Sequence, residues 1–386
     1  MKIVAIAASL GLLVMTAGVQ DPVIVIHAKG MIDVTSGRVV NDATVVVRGN
    51  RIAAAGSSAS VAVPAGASVV QLPTMTLLPG LIDAHVHLTL AGDPVANARA
   101  TLNAGFTTVQ DLGSQPHANI ALRDDIAAGK VIGPRVIASG PWLGISGGVC
   151  DFNGIGVTGA DAFRARVRSD VEHGADLIKV CVSGWLADAV NRPAQYEISE
   201  AELTAAIDEA HKRGKRVAVH AISEGGIGAA VRAGADLVVH GGFPSAATIE
   251  TMKQKRIYEL PTLFSLSRSQ PDAAAPLVEA MKKAVAGGLP IAFGTDAGVI
   301  RHGNNAREFE SLVSIGLDPA AAIRTATIDA AAAVGMAKDI GVLEKDRMAD
   351  VIAVEGDPLS DVKALQQVAF VMKDGVVIKG PTPVRK

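Results

Sequence analysis

Cysteine is nearly absent from this chain: it has two, Cys150 and Cys181. Two thiols cannot build the disulfide framework of a small secreted module, nor a four-thiolate zinc site. Neither sits among residues resembling a catalytic thiol site, although export would permit a single bridge between them. Aromatic residues are scarce, at 3%; the abundant small residues suit close helix-on-strand packing and say nothing about activity. There is no Lys/Arg-rich run, and the net charge is −2, so the electrostatic footprint of a nucleic-acid binder is missing. No Gly-x-Gly-x-x-Gly turn follows the first strand of the middle region, which weakens a dinucleotide-binding reading. The apolar run at 3–15 is too short for a comfortable membrane span.

That run has a different meaning. Lys2 precedes it, and Thr16, Ala17 and Gly18 follow it. One positive charge, a short apolar segment and a small-residue exit read as a secretory signal peptide over 1–20, cleaved between Ala17 and Gln20. A buried N-terminal strand or helix is the other reading. No cysteine follows the run, so a lipid anchor is not expected. The mature protein is expected to be secreted or periplasmic, with no stable membrane anchor.

With 386 residues, 49% of them hydrophobic, the chain can form one large α/β domain and a smaller companion. Residues 21–78 and 337–386 share a texture of short β-branched runs and turns, including Lys373-Asp374-Gly375, a hairpin signal. Together they predict a small composite β-sandwich domain made from both chain ends. Between them, 79–336 alternates apolar strands with amphipathic helices. The strands are expected at 81–88, 107–112, 135–139, 177–182, 217–220, 237–240, 257–260 and 291–294. A helix capped by Ser199 lies between two of them. Eight strands in such alternation predict a (β/α)8 TIM barrel rather than an open doubly wound sheet.

The chemistry gathers at strand ends. In Asp83-Ala84-His85-Val86-His87 the two histidines are two apart, so on a strand they share a face. His220 and His240 each close another strand. In a (β/α)8 barrel all strand C-termini converge on one mouth, so four histidines arriving there look like metal ligands. His27, His173 and His211 take no assigned role, and His117 is left open. Lys179 lies inside Leu177-Ile178-Lys179-Val180, where a charged amine is costly to bury. The neutral amine can add carbon dioxide to become a carbamate, an anionic ligand for two cations; an ion pair with a carboxylate is the alternative. Asp296, in Gly294-Thr295-Asp296, could touch a metal and collect a proton from an activated water, or simply cap its loop.

His85, His87, Lys179, His220, His240 and Asp296 together resemble the metal-dependent amidohydrolase superfamily. The likeness spans nearly the whole mature chain. Within that superfamily the chain is most similar to the imidazolonepropionase-like group containing prolidase-type dipeptidases and carboxypeptidases, through Gly174-Ala175-Asp176-Leu177-Ile178-Lys179, Gln195-Tyr196 and the segment His302-Gly303-Asn304-Asn305-Ala306-Arg307-Glu308. The resemblance implies two zinc ions. His85, His87 and Asp296 would hold the more buried one, and His220 and His240 the more exposed one. Carboxylated Lys179 and a hydroxide would bridge them, with Asp296 as general base and acid. Tyr196 matches a phenol that stabilises the oxyanion; packing against the barrel is its other reading. Three departures bear on substrate: Val239 stands where relatives often carry glutamate, the stretch between 263 and 275 is short, and Cys150 replaces a frequent histidine.

The implied reaction is hydrolysis of an amide, such as the peptide bond of a dipeptide or N-acyl amino acid. Arg301 and His302 follow the strand carrying Asp296 and are expected to hold a substrate carboxylate, with Arg268 in reserve. The alternatives are a lactone, cyclic amide, carbamate or aromatic amide such as a mycotoxin, and a non-catalytic secreted metal-binding protein. A homo-oligomer and a small-molecule or dipeptide substrate are expected, without nucleic acid.

Overall fold

The computed structural model describes residues 22–385; the expected signal peptide lies outside the described residues. Four strands open the chain: β1 (Val23–Asp33), β2 (Arg38–Arg48), β3 (Arg51–Ser57) and β4 (Ser68–Pro79). Seven more cross the middle: β5 (Leu81–Val86), β6 (Phe106–Asp111), β7 (Arg135–Ala138), β8 (Leu177–Cys181), β9 (Arg216–His220), β10 (Leu237–Val239) and β11 (Tyr258–Leu260). The last four are β12 (Val351–Glu355), β13 (Val368–Lys373), β14 (Val376–Lys379) and β15 (Val384–Arg385). No helix among the described residues is long and apolar enough to cross a membrane.

Both chain ends enter one sheet, in the order β14-β13-β12-β4-β1-β2-β3, with β15 pairing on β4. Its β-branched runs alternate across the pleat: Ile26, Val45 and Val47 pack on one face, while Val25, Val46 and Val69 pack on the other. Strand β4 joins the halves, running parallel to β1 and antiparallel to β12.

The middle forms two arcs of parallel strands, β5-β6-β7 and β8-β9-β10-β11. Strand β5 is buried at every position, as expected of a parallel strand covered on both faces. Single bridges link the arcs: Leu143 with Val180, Glu259 with Ile291, and Val86 with Ala297. The expected strand at 291–294 is therefore an extended segment tied by isolated bridges. Gly294 explains the tightness there, since a Cβ would meet the Cβ atoms of His85 and Leu260 at 3.1 Å.

Period-two alternation sorts the side chains. Ile178, Val180, Val217 and Val219 pack in the large cluster shared with helices, while Leu177 and Ala218 join an inner cluster with Leu237, Leu260 and Ala292. Lys179 and His220 follow on that inner side, one step nearer the strand C-termini. The helix Glu200–Lys212 starts where a capping box predicts: Ser199 accepts from Glu202 N while Glu202 accepts from Ser199 N.

Candidate active site

His85 and His87 leave the end of β5 with their Nε2 atoms 3.2 Å apart. Asp296 brings Oδ1 to 3.5 Å from the first and 3.2 Å from the second. One ligand atom from each of the three lies within 4.8 Å of the others, and all three residues are buried. His87 Nδ1 donates to the carbonyl oxygen of Gly113 at 3.2 Å, which leaves its Nε2 lone pair for a metal. The neighbouring backbone is drawn tight: a Cβ on Gly298 would sit 2.7 Å from the carbonyl oxygen of His87.

His240 lies just beyond β10, its ring centroid 4.9 Å from that of His85 and 4.7 Å from that of His220. His240 Nδ1 pairs with Thr262 Oγ1 at 2.7 Å, turning its Nε2 outward. His220 Nε2 faces the carbonyl oxygen of Gly184 at 3.4 Å. His240, Thr262 and Asp296 all have positive φ, at 71°, 47° and 60°. Such angles are rare for residues with side chains and concentrate where surroundings impose them for function.

Burial favours the neutral form of three of these imidazoles, those of His85, His220 and His240. It holds His85 and His240 well below the usual histidine range and brings His220 to about 4. Neutral rings are the form that ligates metal. Lys179 Nζ is buried without a hydrogen-bond partner among the described residues, as is His85 Nδ1. Desolvation lowers the Lys179 amine to about 7, against an opposing pull from Asp296. An unpartnered buried amine amid neutral imidazoles and one carboxylate is what a missing anionic bridge and cations would leave behind, so the donor set fits a metal group.

Asp83 is a support that sequence reading passed over. Its Oδ1 accepts from His85 N and Thr295 N, both at 3.1 Å; its Oδ2 accepts from Thr295 Oγ1 at 2.6 Å and Asn305 Nδ2 at 2.8 Å. It thereby stitches the His85 strand to the Asp296 segment, and burial raises its carboxyl to about 7. Glu308 is equally buried, accepting from Leu263 N at 2.8 Å and Phe264 N at 2.7 Å beside Thr262. The position of Asp83, two before His85, was a usable signal; Glu308 closes the segment that carries the family resemblance, but nothing in that segment says where its carboxyl reaches.

The expected carboxylate clamp requires correction. Thr101 Oγ1 donates to His302 Nδ1 at 3.0 Å, and His302 Nε2 donates to the carbonyl oxygen of His87 at 3.2 Å. Both ring nitrogens are spent inside the protein, so His302 braces His87 instead of meeting substrate. Arg301 and Arg268 are exposed. Tyr196 lines a neighbouring cleft with Gly184, Asp188, Arg192 and Ser223, packed in part against the core. Cys150 and Cys181 form a disulfide with Cα atoms 6.1 Å apart.

The profile of the amidohydrolase family matches residues 76–379. Ochratoxinase from Aspergillus niger is 28% identical over 436 aligned positions, covering 96% of this chain and 89% of the relative. Its crystal structure superimposes with a TM-score of 0.83 at 26% identity, covering 94% and 96% of the two chains. A Xaa-Pro dipeptidase with methionine bound in its active site gives a TM-score of 0.86 at 30% identity, over 93% of this chain and 100% of the other. Imidazolonepropionase from Shouchella clausii is 27% identical over 192 positions, 47% of this chain and 41% of the relative.

Proposed function

This chain belongs to the amidohydrolase family and is a hydrolase acting on C–N bonds; on that premise we propose that it cleaves the amide bond of a small substrate, a dipeptide or N-acyl amino acid, with two zinc ions. The observation that carries the two-metal reading is the buried, unpartnered Lys179 Nζ among the imidazoles. We take the two strand arcs and their linking bridges as a closed (β/α)8 barrel, with the strand C-termini as its working end.

His85, His87 and Asp296 would hold one ion, and His220 and His240 the other. Lys179, its amine driven toward the neutral form by desolvation, would attack carbon dioxide through its nitrogen and lose a proton to water, and the resulting carbamate would serve as an anionic ligand at the site. When bound, the ions would acidify a water and polarise the scissile carbonyl. Asp296 takes the proton released as water attacks the carbonyl carbon, and passes it to the leaving amine as the C–N bond breaks. Tyr196, in the adjoining cleft, is proposed as donor to the carbonyl oxygen. Export to an oxidising compartment, secreted or periplasmic, is supported by the Cys150–Cys181 bridge.

The test is turnover of a dipeptide and N-acyl amino acid library by zinc-loaded protein, with each substrate supplied as free acid and as amide. Free acids should be preferred by about ten- to a hundred-fold, the value of a charge-assisted hydrogen bond of roughly 1.5–3 kcal/mol. Arg301→Ala, with Arg268→Ala beside it, should reduce that preference. Equal cleavage of acid and amide would remove the clamp and favour a second reading, an aromatic amide. That reading draws on the ochratoxinase likeness and on the tryptophans bordering the site.

A further inference from the structure

The chain has only two tryptophans, and both border cavities beside the metal-site residues. Trp185 lines a cavity of about 480 Å3 onto which His220, His240 and Asp296 face. Its remaining walls include Ala187, Ile222, Leu266 and Val299. Trp142 lines a second cavity, of about 520 Å3, with Phe152, and its ring centroid lies 5.4 Å from that of His87. An amide carries a substituent on each side of the scissile bond, and the site offers one cavity on its His220 side and another on its His87 side.

Charge narrows what the Trp185 cavity can take. Among the described residues, no lysine or arginine lines it. Of the two carboxylates on it, Asp188 pairs with Arg192 and accepts from Trp185 N at 3.2 Å, while Asp296 belongs to the proposed metal site. Away from the metal-site residues its walls offer no free charge, so a charged side group lying along them would lose water and gain no partner. Gln270 Oε1 accepts from Ala187 N at 3.1 Å, fastening one wall to the other. Trp185 and Val299 are 48% and 50% exposed, so each has apolar surface left for a ligand to cover.

We propose that this cavity is an apolar subsite, and that it selects amides with a bulky uncharged side group, aromatic or branched aliphatic, beside the scissile bond. Trp185 and Val299 are its specificity-determining residues. The inference rests on the amide-hydrolase reading, and the experiment separates the two.

Two dipeptide series, Gly-X and X-Gly with X as glycine, leucine, phenylalanine, aspartate or lysine, are assayed with zinc-loaded enzyme. In at least one series kcat/KM for phenylalanine and leucine should exceed that for aspartate and lysine at least tenfold. Trp185→Ala should shrink that ratio below threefold through loss on the apolar substrates. Val299→Lys should raise the aspartate substrate above its wild-type value. A flat or charge-favouring wild-type profile, or a preference that survives both substitutions, overturns the subsite. If neither these dipeptides nor the matching N-acyl amino acids are cleaved, the proposed reaction falls, and calorimetric binding of the free amino acids decides the subsite alone. Phenylalanine binding tenfold tighter than aspartate in a Trp185-dependent way upholds it, and equal binding overturns it.

Discussion

A lysine amine buried in a parallel sheet has to shed its charge or be matched by one, and Lys179 has no hydrogen-bond partner among the described residues. Lys179→Ala should therefore lose metal and activity together. Elemental analysis should fall from about two zinc ions per chain to fewer than one, and a short carboxylic acid should restore part of the activity. Two retained ions in the variant would eliminate the bridge. The residues of this centre were legible because their signals are local: a His-x-His pair on one strand, histidines at strand ends, a lysine inside an apolar run. Residues that work through tertiary contacts were not. Glu308 reaches Leu263 and Phe264 from 45 and 44 positions away, and His302 was read as a substrate clamp because its place after Asp296 says nothing about where its ring turns.

At the scale of elements, the helix Leu263–Ser269 begins under unusual control. Thr262 enters it at φ 47° and offers Oγ1 to His240, while Glu308 receives the first two backbone N–H groups. Burial raises the Glu308 carboxyl from an ordinary 4.5 to about 8, so the fold favours its protonated form. Its stabilising contribution is complete below about 4.5 and is lost as pH rises through 8. Glu308→Gln, which cannot titrate, should be less stable than wild type at pH 5, with the gap closing toward pH 9. Thermal unfolding across that range checks it; a gap that widens with pH would mean an ionised carboxylate capping the helix. Most strands matched their patterns, since apolar runs ending in glycine turns are strong signals. Strand β3 carries a weaker signal, since Arg51-Ile52-Ala53-Ala54-Ala55 has one β-branched residue where its neighbours have runs of them, and 291–294 was read as a strand because close approach at Gly294 leaves no trace in a hydropathy pattern.

At the scale of the whole molecule, Arg135 fastens the terminal sheet to the middle region. It donates to Asp350 Oδ2 and Thr108 Oγ1, each at 2.7 Å, and pairs with Asp374. Asp350 is almost wholly buried, so Arg135→Ala strands a carboxylate and should destabilise the protein by about 3–5 kcal/mol. Urea unfolding should show a lower midpoint; an unchanged midpoint would show that the pair contributes nothing. That strands from both ends of the described chain would come together in one sheet was legible from their shared composition, whereas this clamp was not, because its partners come from stretches of chain far from Arg135.

Strand β4 has one further property, which concerns time. Its neighbour β1 is translated before it, with only β2 and β3 between, but its other neighbour β12, where Ile352 faces Leu78, is translated last but three of the strands. Throughout synthesis of the middle region one edge of β4 waits with unpaired backbone groups, beside apolar residues that β12 and β13 will later cover. Open edges of that kind recruit other chains. A nascent chain released by a stop codon after Met348 should accordingly partition into the insoluble fraction although every metal-site residue has been made. If it stays soluble and monomeric, the waiting edge is harmless.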